Sequence, residues 1–287
     1  MQHQTVVEQL YNQCRESGHC HVLLDPQAGA PFSDHIAALD KDLAPRIHLR
    51  DPLFAETPED APLLLTLPVS ELPFIEALAT QAQQEAVDLS SSTRSICGFL
   101  QSPLSVKQLA QRLTRALDLK VNSAGIYFRY FDPRVFHHIP RLLPQATFGR
   151  MLQGVSSWSY FLWDGALAVE DIPASSVLNA DSLRLGSEQW QAFQTIEHFN
   201  ATQRLFAQRR LPFEPNQTAE IFEQVNAARA LGFTSPDDTA YYLACSHQAL
   251  APLSQHAAWP DVMALLKQDV PLREALAHLC GVSLTSA

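Results

Sequence analysis

At 287 residues and 46% hydrophobic composition, the chain is long enough to bury a substantial core, which excludes a disordered protein. Its formal net charge of -10, from 30 acidic and 20 basic residues, argues against nucleic acid or an anionic membrane as the main partner. The sequence has neither an apolar run of roughly 20 residues nor a secretory signal, so we expect a cytoplasmic protein without membrane insertion.

The first part of the chain mixes strand and helix patterns. Apolar residues recur every three or four positions in the segments that we predict to be helical, and short apolar or alternating runs mark the predicted strands. Helices are predicted at residues 5–14, 33–43 with Ser33 as cap, 71–86 and 103–117. Strands are predicted at residues 21–25, 46–49, 63–67, 95–102 and 126–131, and a hairpin at 158–169.

The sequence changes character near Pro173. Residues 171–186 are rich in Ser, Ala and Asp and weakly patterned, which is typical of a linker or hinge. Beyond it only helices are predicted, including one with Ser235 as cap and Pro236 at its first position. We therefore predict an α+β fold: a mixed α/β N-terminal lobe with a small mixed sheet over residues 1–170, the hinge at 171–186, and an all-helical lobe over 187–287.

The stretch from Phe128 to Phe136 joins a predicted strand to a sharply defined helix start. Asp132 suits an N-cap, because its carboxylate can accept a backbone N–H of the first turn. Pro133 already has the φ angle of a first helical residue. The helix that follows is expected to be kinked or cut by Pro140.

Arg129 and Arg134 flank this cap. We interpret the group as architectural: one arginine pairs with Asp132, or with a carbonyl, and fixes the corner between strand and helix. The alternative is that an arginine is presented to a partner.

No motif in the sequence predicts catalysis or a cofactor. The five cysteines are scattered, so they are expected to be reduced and mostly buried. Cys14, His19, Cys20 and His21 lie close together without a metal-site spacing, and we interpret them as packed cysteines and surface histidines. Cys97, or the pair His137-His138, is the alternative that would make the chain an enzyme, as a hydrolase.

The corner motif resembles the hallmark R-F/Y-Y/F-D-P-R-V-L/F of the domain of unknown function 4123, found in effector adaptors or chaperones of bacterial type VI secretion. Arg129, Tyr130, Asp132, Pro133 and Arg134 match it, together with Phe131 and Val135. Supporting matches are the strand at residues 21–25, which ends in Asp25, and the aromatic segment 158–163.

The resemblance implies a non-enzymatic adaptor without a cofactor, whose partners are one secreted effector and the spike protein at the tip of the apparatus. The motif residues are expected to be mainly structural. Effector contacts are expected in a groove between the lobes, with Trp158, Tyr160 and Trp163 as candidates; the alternative for these three is core packing. A structural subunit of the secretion apparatus is a further alternative.

Overall fold

The computed structural model describes residues 6–89, 93–122, 124–175, 183–213, 217–268 and 270–280. The chain divides into two compact units, Met1–Trp190 and Gln191–Ala287. The predicted fold class is confirmed, because the strands lie in the first unit and helices make up the second. The predicted hinge lies partly outside the described residues, so its limits stay a prediction.

The elements of the first unit alternate between strand and helix. Its strands are β1 (His19–Leu24), β2 (Arg46–His48), β3 (Leu63–Pro68), β4 (Ile96–Gln101), β5 (Asp118–Val121), β6 (Ala124–Tyr127), β7 (Ser157–Phe161), β8 (Leu167–Asp171) and β9 (Leu183–Leu185). Its helices are α1 (Val6–Ser17), α2 (Ser33–Ala38), α3 (Leu72–Val87), α4 (Val106–Ala116), α5 (Pro133–Phe136), α6 (Ile139–Leu142) and α7 (Gln145–Met151), and α8 (Ser187–Gln208) begins there and continues into the second unit.

Six of these strands form an antiparallel sheet in the order β2-β3-β1-β4-β7-β8. A second sheet has the order β6-β5-β9, with β5 antiparallel to β6 and parallel to β9. The central strand β1 pairs with both β3 and β4 and is buried along almost its whole length. Asp25, which directly follows β1, therefore lies at the end of an interior strand.

The large sheet buries side chains on both faces, because successive residues of a strand point to opposite sides. On one face, Cys20, Val22 and Leu24 of β1 pack in a core with residues of α1 and α3. On the other face, Trp158 stacks on Phe136 with ring centroids 4.4 Å apart. The corner motif belongs to this second, aromatic layer.

Two local predictions were wrong in extent, and two strands were missed. The strand predicted at 126–131 ends at Tyr127, because the chain turns at Phe128 to approach α5. The helix predicted at 33–43 ends at Ala38, and Ser33 is its first residue and not its cap, which is Phe32 in a left-handed conformation. Strands β5 and β9 were not predicted.

The second unit contains four further helices in its described part. They are α9 (Thr218–Ala230), α10 (Pro236–Gln248), α11 (Trp259–Leu266) and α12 (Leu272–Cys280). The predicted start of α10 is confirmed: Ser235 accepts the N–H of Asp238 and Pro236 is the first helical residue. No helix in the described residues has the length and apolar character needed to span a membrane.

Gly98 of β4 tests the packing of the aromatic layer. A Cβ at Gly98 would lie 2.0 Å from Nε1 of Trp158, whereas a Cβ at Gly186 would meet nothing within 4 Å. Gly98→Ala should therefore lower the free energy of unfolding by about 1–3 kcal/mol or more, as overpacked cores do, and Gly186→Ala should change it little. Urea unfolding measures both; equal effects would contradict this packing.

Candidate functional site

Two segments that are far apart in the sequence meet at the corner motif. Asp25 follows the last residue of β1, and the Nη2 atom of Arg129 forms an ion pair with its carboxylate across a sequence separation of 104 residues. The side chain of Asp25 is 2% exposed and that of Arg129 is 41% exposed. The arginine therefore neutralises a buried charge from the solvent side.

Asp25 is also held by the backbone. Its N–H donates to the carbonyl of Ser95 at 2.8 Å, and its Oδ1 accepts from the N–H of Gln27 at 3.1 Å. Burial raises the pKa of the Asp25 carboxyl, while Arg129 acts against that rise. Without the arginine, the Asp25 carboxylate would be buried in a poorly solvated site with no opposite charge beside it.

The predicted cap at Asp132 is present. Its Oδ1 accepts from the backbone N–H of Arg134 at 3.0 Å, and Pro133 is the first residue of α5. The guanidinium of Arg134 also donates two hydrogen bonds to the same carboxylate, from Nε to Oδ1 at 2.9 Å and from Nη2 to Oδ2 at 2.6 Å. This two-pronged contact is the geometry in which arginine binds carboxylates best.

Tyr130 anchors the motif in the aromatic layer. It is fully buried, and its hydroxyl donates to the carbonyl of Leu113 in α4 at 2.9 Å. Its ring meets Trp158 edge to face, with centroids 6.1 Å apart. The turn between β6 and α5 is therefore fixed by charge at Arg129 and Asp132 and by packing at Tyr130.

A further arginine lies beneath the corner. Arg94 is buried and donates to the carbonyls of Thr93 at 2.8 Å and Ala86 at 3.2 Å. Burial lowers the pKa of its guanidinium, and the nearby positive charge of Arg134 lowers it further. The charged groups here are thus paired with one another or with carbonyls, as a framework requires.

Cys97 lies next to this cluster and is unsuited to act as a nucleophile. It is fully buried, and burial, with the carboxylates of Asp25 and Asp132, raises the pKa of its thiol well above the usual range. The thiolate is the reactive form of cysteine, and this surrounding disfavours it.

The three aromatic residues proposed to contact a partner lie in different surroundings. Trp158 and Tyr160 are 0% and 1% exposed and face the aromatic layer, so the alternative of core packing describes them. Trp163 is half-buried beyond the end of β7, with its ring 5.5 Å from that of His137. Trp163 is the one with surface to offer a partner, and its contact stays a prediction.

The rings of His137 and His138 pack against each other and, at His137, against Tyr160. His138 is buried and His137 is half-buried. The hydroxyl of Tyr160 donates to Glu170 at 3.3 Å and is 3.0 Å from Nδ1 of His137, so His137 is the donor in the second contact. His137 thus joins the end of α5 to the β7-β8 hairpin.

The Cys14 to His21 group divides between the two faces of the large sheet. Cys14 and Cys20 are buried in the core under α1, as expected for packed cysteines. His21 is buried on the opposite face, so the expectation of a surface histidine was wrong there, and His19 is half-buried. The alternation of side chains along β1 produces this separation.

The second unit contains a cleft of about 480 Å³ between α9, α10 and the turn that follows α10. The described residues that line it include no Asp, Glu, Lys or Arg. Leu250, on its rim, is 92% exposed. Such a lining suits an uncharged, partly apolar segment better than a charged ligand.

The pairing of Arg129 with Asp25 was not anticipated from the sequence. Both residues were noted in family-like segments, but Arg129 was expected to pair with Asp132 or with a carbonyl. Asp25 is a charged residue directly after a buried strand, and a buried carboxylate needs a partner of opposite charge. This position was the signal in the sequence that Asp25 pairs with a distant residue.

Residues 20–147 match the model of a family described as a domain of unknown function, DUF4123. The match spans less than half of the chain and contains both Asp25 and the corner motif. No match to this chain was found among curated proteins or among solved structures. The resemblance is thus confirmed at the level of this domain, whose description assigns no function.

Asp132→Ala should lower the free energy of unfolding by more than the about 1 kcal/mol of a lost cap, because Arg134 also loses its carboxylate. Asp132→Asn keeps an oxygen for the cap and should cost less. Asp51→Ala is the matched control, since Asp51 caps the turn Pro52–Phe54 through the N–H of Leu53 at 2.9 Å. Equal losses for Asp132→Ala and Asp51→Ala in urea unfolding would contradict a contribution from Arg134.

Acidification should destabilise the first unit through His137. Burial, followed by Arg141, lowers the pKa of His137 from 6.5 to about 4. The unfolded chain therefore takes up this proton at a higher pH than the folded chain. The contribution of this pKa difference to the free energy of unfolding is therefore fully present above pH 6.5 and is lost as the pH falls towards about 4.

The melting temperature measured between pH 7.5 and 4.5 tests this dependence. His137→Gln should show a smaller fall in melting temperature than the wild-type chain. The exposed His256, changed to Gln, should leave the fall unchanged. A fall of the same size in all three proteins would refute the role assigned to His137.

Proposed function

We propose that the chain is a non-enzymatic adaptor, or chaperone, that binds one specific effector of bacterial type VI secretion and helps to load it onto the spike protein of the apparatus. The observation that carries the proposal is the motif from Arg129 to Val135, within residues that match the DUF4123 model. Loading of this kind takes place in the bacterial cytoplasm before secretion.

The geometry of the motif supports a framework role in such an adaptor. Arg129 and Arg134 each hold a carboxylate of the same chain, and Tyr130 is fully buried. An arginine that is already paired gains little free energy from a second partner. If it moved to that partner, its original carboxylate would be left buried and unpaired, which is costly. The motif therefore fixes the shape of the first unit, and effector contacts come from other surfaces.

Two surfaces are candidates for these contacts. In the first unit, Trp163 is a half-buried aromatic side chain, the kind of residue that often anchors an interface. In the second unit, the uncharged cleft with Leu250 on its rim could receive an apolar segment of the effector. The first surface consists of residues of the first unit alone, and the second of residues of the second unit alone.

Co-purification tests the proposal. The full chain, tagged and expressed together with the products of the genes that flank its own, should retain an effector or a spike protein through gel filtration. Retention of neither would contradict the adaptor role. Stoichiometric retention in the assembled apparatus would favour a structural subunit instead.

Paired variants locate the contact if an effector is retained. Trp163→Ala should reduce retention at least several-fold if the first surface is used, and Trp190→Ala, at another half-buried tryptophan, should not. Leu250→Asn suits the left-handed backbone at φ 56° and probes the cleft, with the exposed Leu43→Asn as control. If neither Trp163→Ala nor Leu250→Asn reduced retention, both surfaces would be excluded as the main contact.

A further inference from the structure

Two histidines of β1, His19 and His21, place their Nε2 atoms close to each other. The Nε2 atoms of His19 and His21 are 3.1 Å apart, and the ring centroids are 4.6 Å apart with the planes at 71°. Residues two apart on a strand share a face, so both imidazoles project from the same side of β1. Cys20, between them, points into the opposite core.

A third residue fixes the orientation of one ring. Nδ1 of His21 is 2.8 Å from Oγ1 of Thr66, which lies directly across from it on β3. This contact leaves Nε2 as the nitrogen that faces His19. A hydrogen bond on the other ring nitrogen is the usual way in which proteins orient a histidine that binds a metal.

The separation of the two nitrogens fits one tetrahedral ion. Ligand nitrogens lie about 2.0–2.1 Å from zinc, so two of them on a tetrahedral ion are about 3.3 Å apart. The observed 3.1 Å differs from that value by a few tenths of an ångström. Side-chain rotation of the half-buried His19 is enough to make up this difference.

We propose that His19 and His21 chelate one divalent ion of the late transition metals that favour imidazole, Zn²⁺, Ni²⁺ or Cu²⁺, through their Nε2 atoms. Across the described residues, no group of three or more His, Cys, Asp or Glu could hold an ion. We expect water to fill the other coordination positions, on the side of the half-buried His19. With the ion bound, both rings carry their proton on Nδ1, and His21 donates it to Thr66.

The site is separate from the proposed adaptor role. Both ligands come from one strand, so the ion does not join distant segments of the chain. Binding to the folded state should still stabilise it by mass action, to the extent that the unfolded chain binds less tightly. A rise in melting temperature with added metal is thus a second readout beside direct binding.

The test uses the full chain, stripped with a chelator and freed of any polyhistidine tag. Isothermal titration with Ni²⁺ and with Zn²⁺ at pH 7.5 should give saturable binding of one ion per chain. His19→Gln should abolish it. Thr66→Val should weaken it by about 10- to 100-fold, as the loss of an orienting partner does.

Two controls keep the result interpretable. His256→Gln removes an exposed histidine elsewhere and should leave the affinity unchanged. Circular dichroism establishes that His19→Gln and Thr66→Val are folded; for His19 this is expected because its ring is half-buried. No saturable binding, or unchanged affinity in His19→Gln, would overturn the proposal and leave the two rings as a hydrogen-bonded pair only.

Discussion

The ion pair between Asp25 and Arg129 is the constraint on which the first unit depends. Asp25 directly follows β1, an interior strand of the large sheet, and its carboxylate is buried. Breaking a buried pair by removing one partner typically costs about 3–5 kcal/mol, although the exposure of Arg129 places this pair towards the weaker end. The turn that carries Arg129 must therefore return to the end of β1, and this fixes the path of the chain between β6 and α5.

The same turn is fixed a second time by packing. Tyr130 reaches α4 through its hydroxyl and Trp158 through its ring, and Phe136, the last residue of α5, stacks on Trp158. One short motif thus contains both charged and aromatic residues, and both kinds hold the turn in place. A motif built in this way has a structural explanation that does not require contact with a partner.

Local patterns predicted the elements whose signals lie within the element itself. Helices α3 and α4 were anticipated from apolar periodicity, and α10 from Ser235-Pro236. The N-cap at Asp132 was anticipated for the same reason, because a cap bonds to residues next to it. The short strands β5 and β9 lack a distinctive sequence pattern. Strand β9 also pairs with β5, which lies more than 60 residues earlier in the chain, and a local pattern does not reveal such a pairing.

The candidate site was harder to anticipate because its main contacts are long-range. The sequence identified Arg129 and Asp25 but could not bring them together, and the burial of Trp158 and Tyr160 follows from the layer that α5 completes. His19 and His21 show the same limit: the alternation of a strand places them on one face, but Thr66 is contributed by β3.

A double-mutant cycle on Asp25 and Arg129 tests the central claim most directly. The free energy of unfolding is measured for the wild-type chain, Asp25→Asn, Arg129→Gln and the double variant. If the pair holds the corner, the sum of the two single-variant losses should exceed the loss of the double variant by a coupling energy of about 1–3 kcal/mol. Additivity within about 0.5 kcal/mol would contradict the account and would return Arg129 to the surface as a candidate for partner binding.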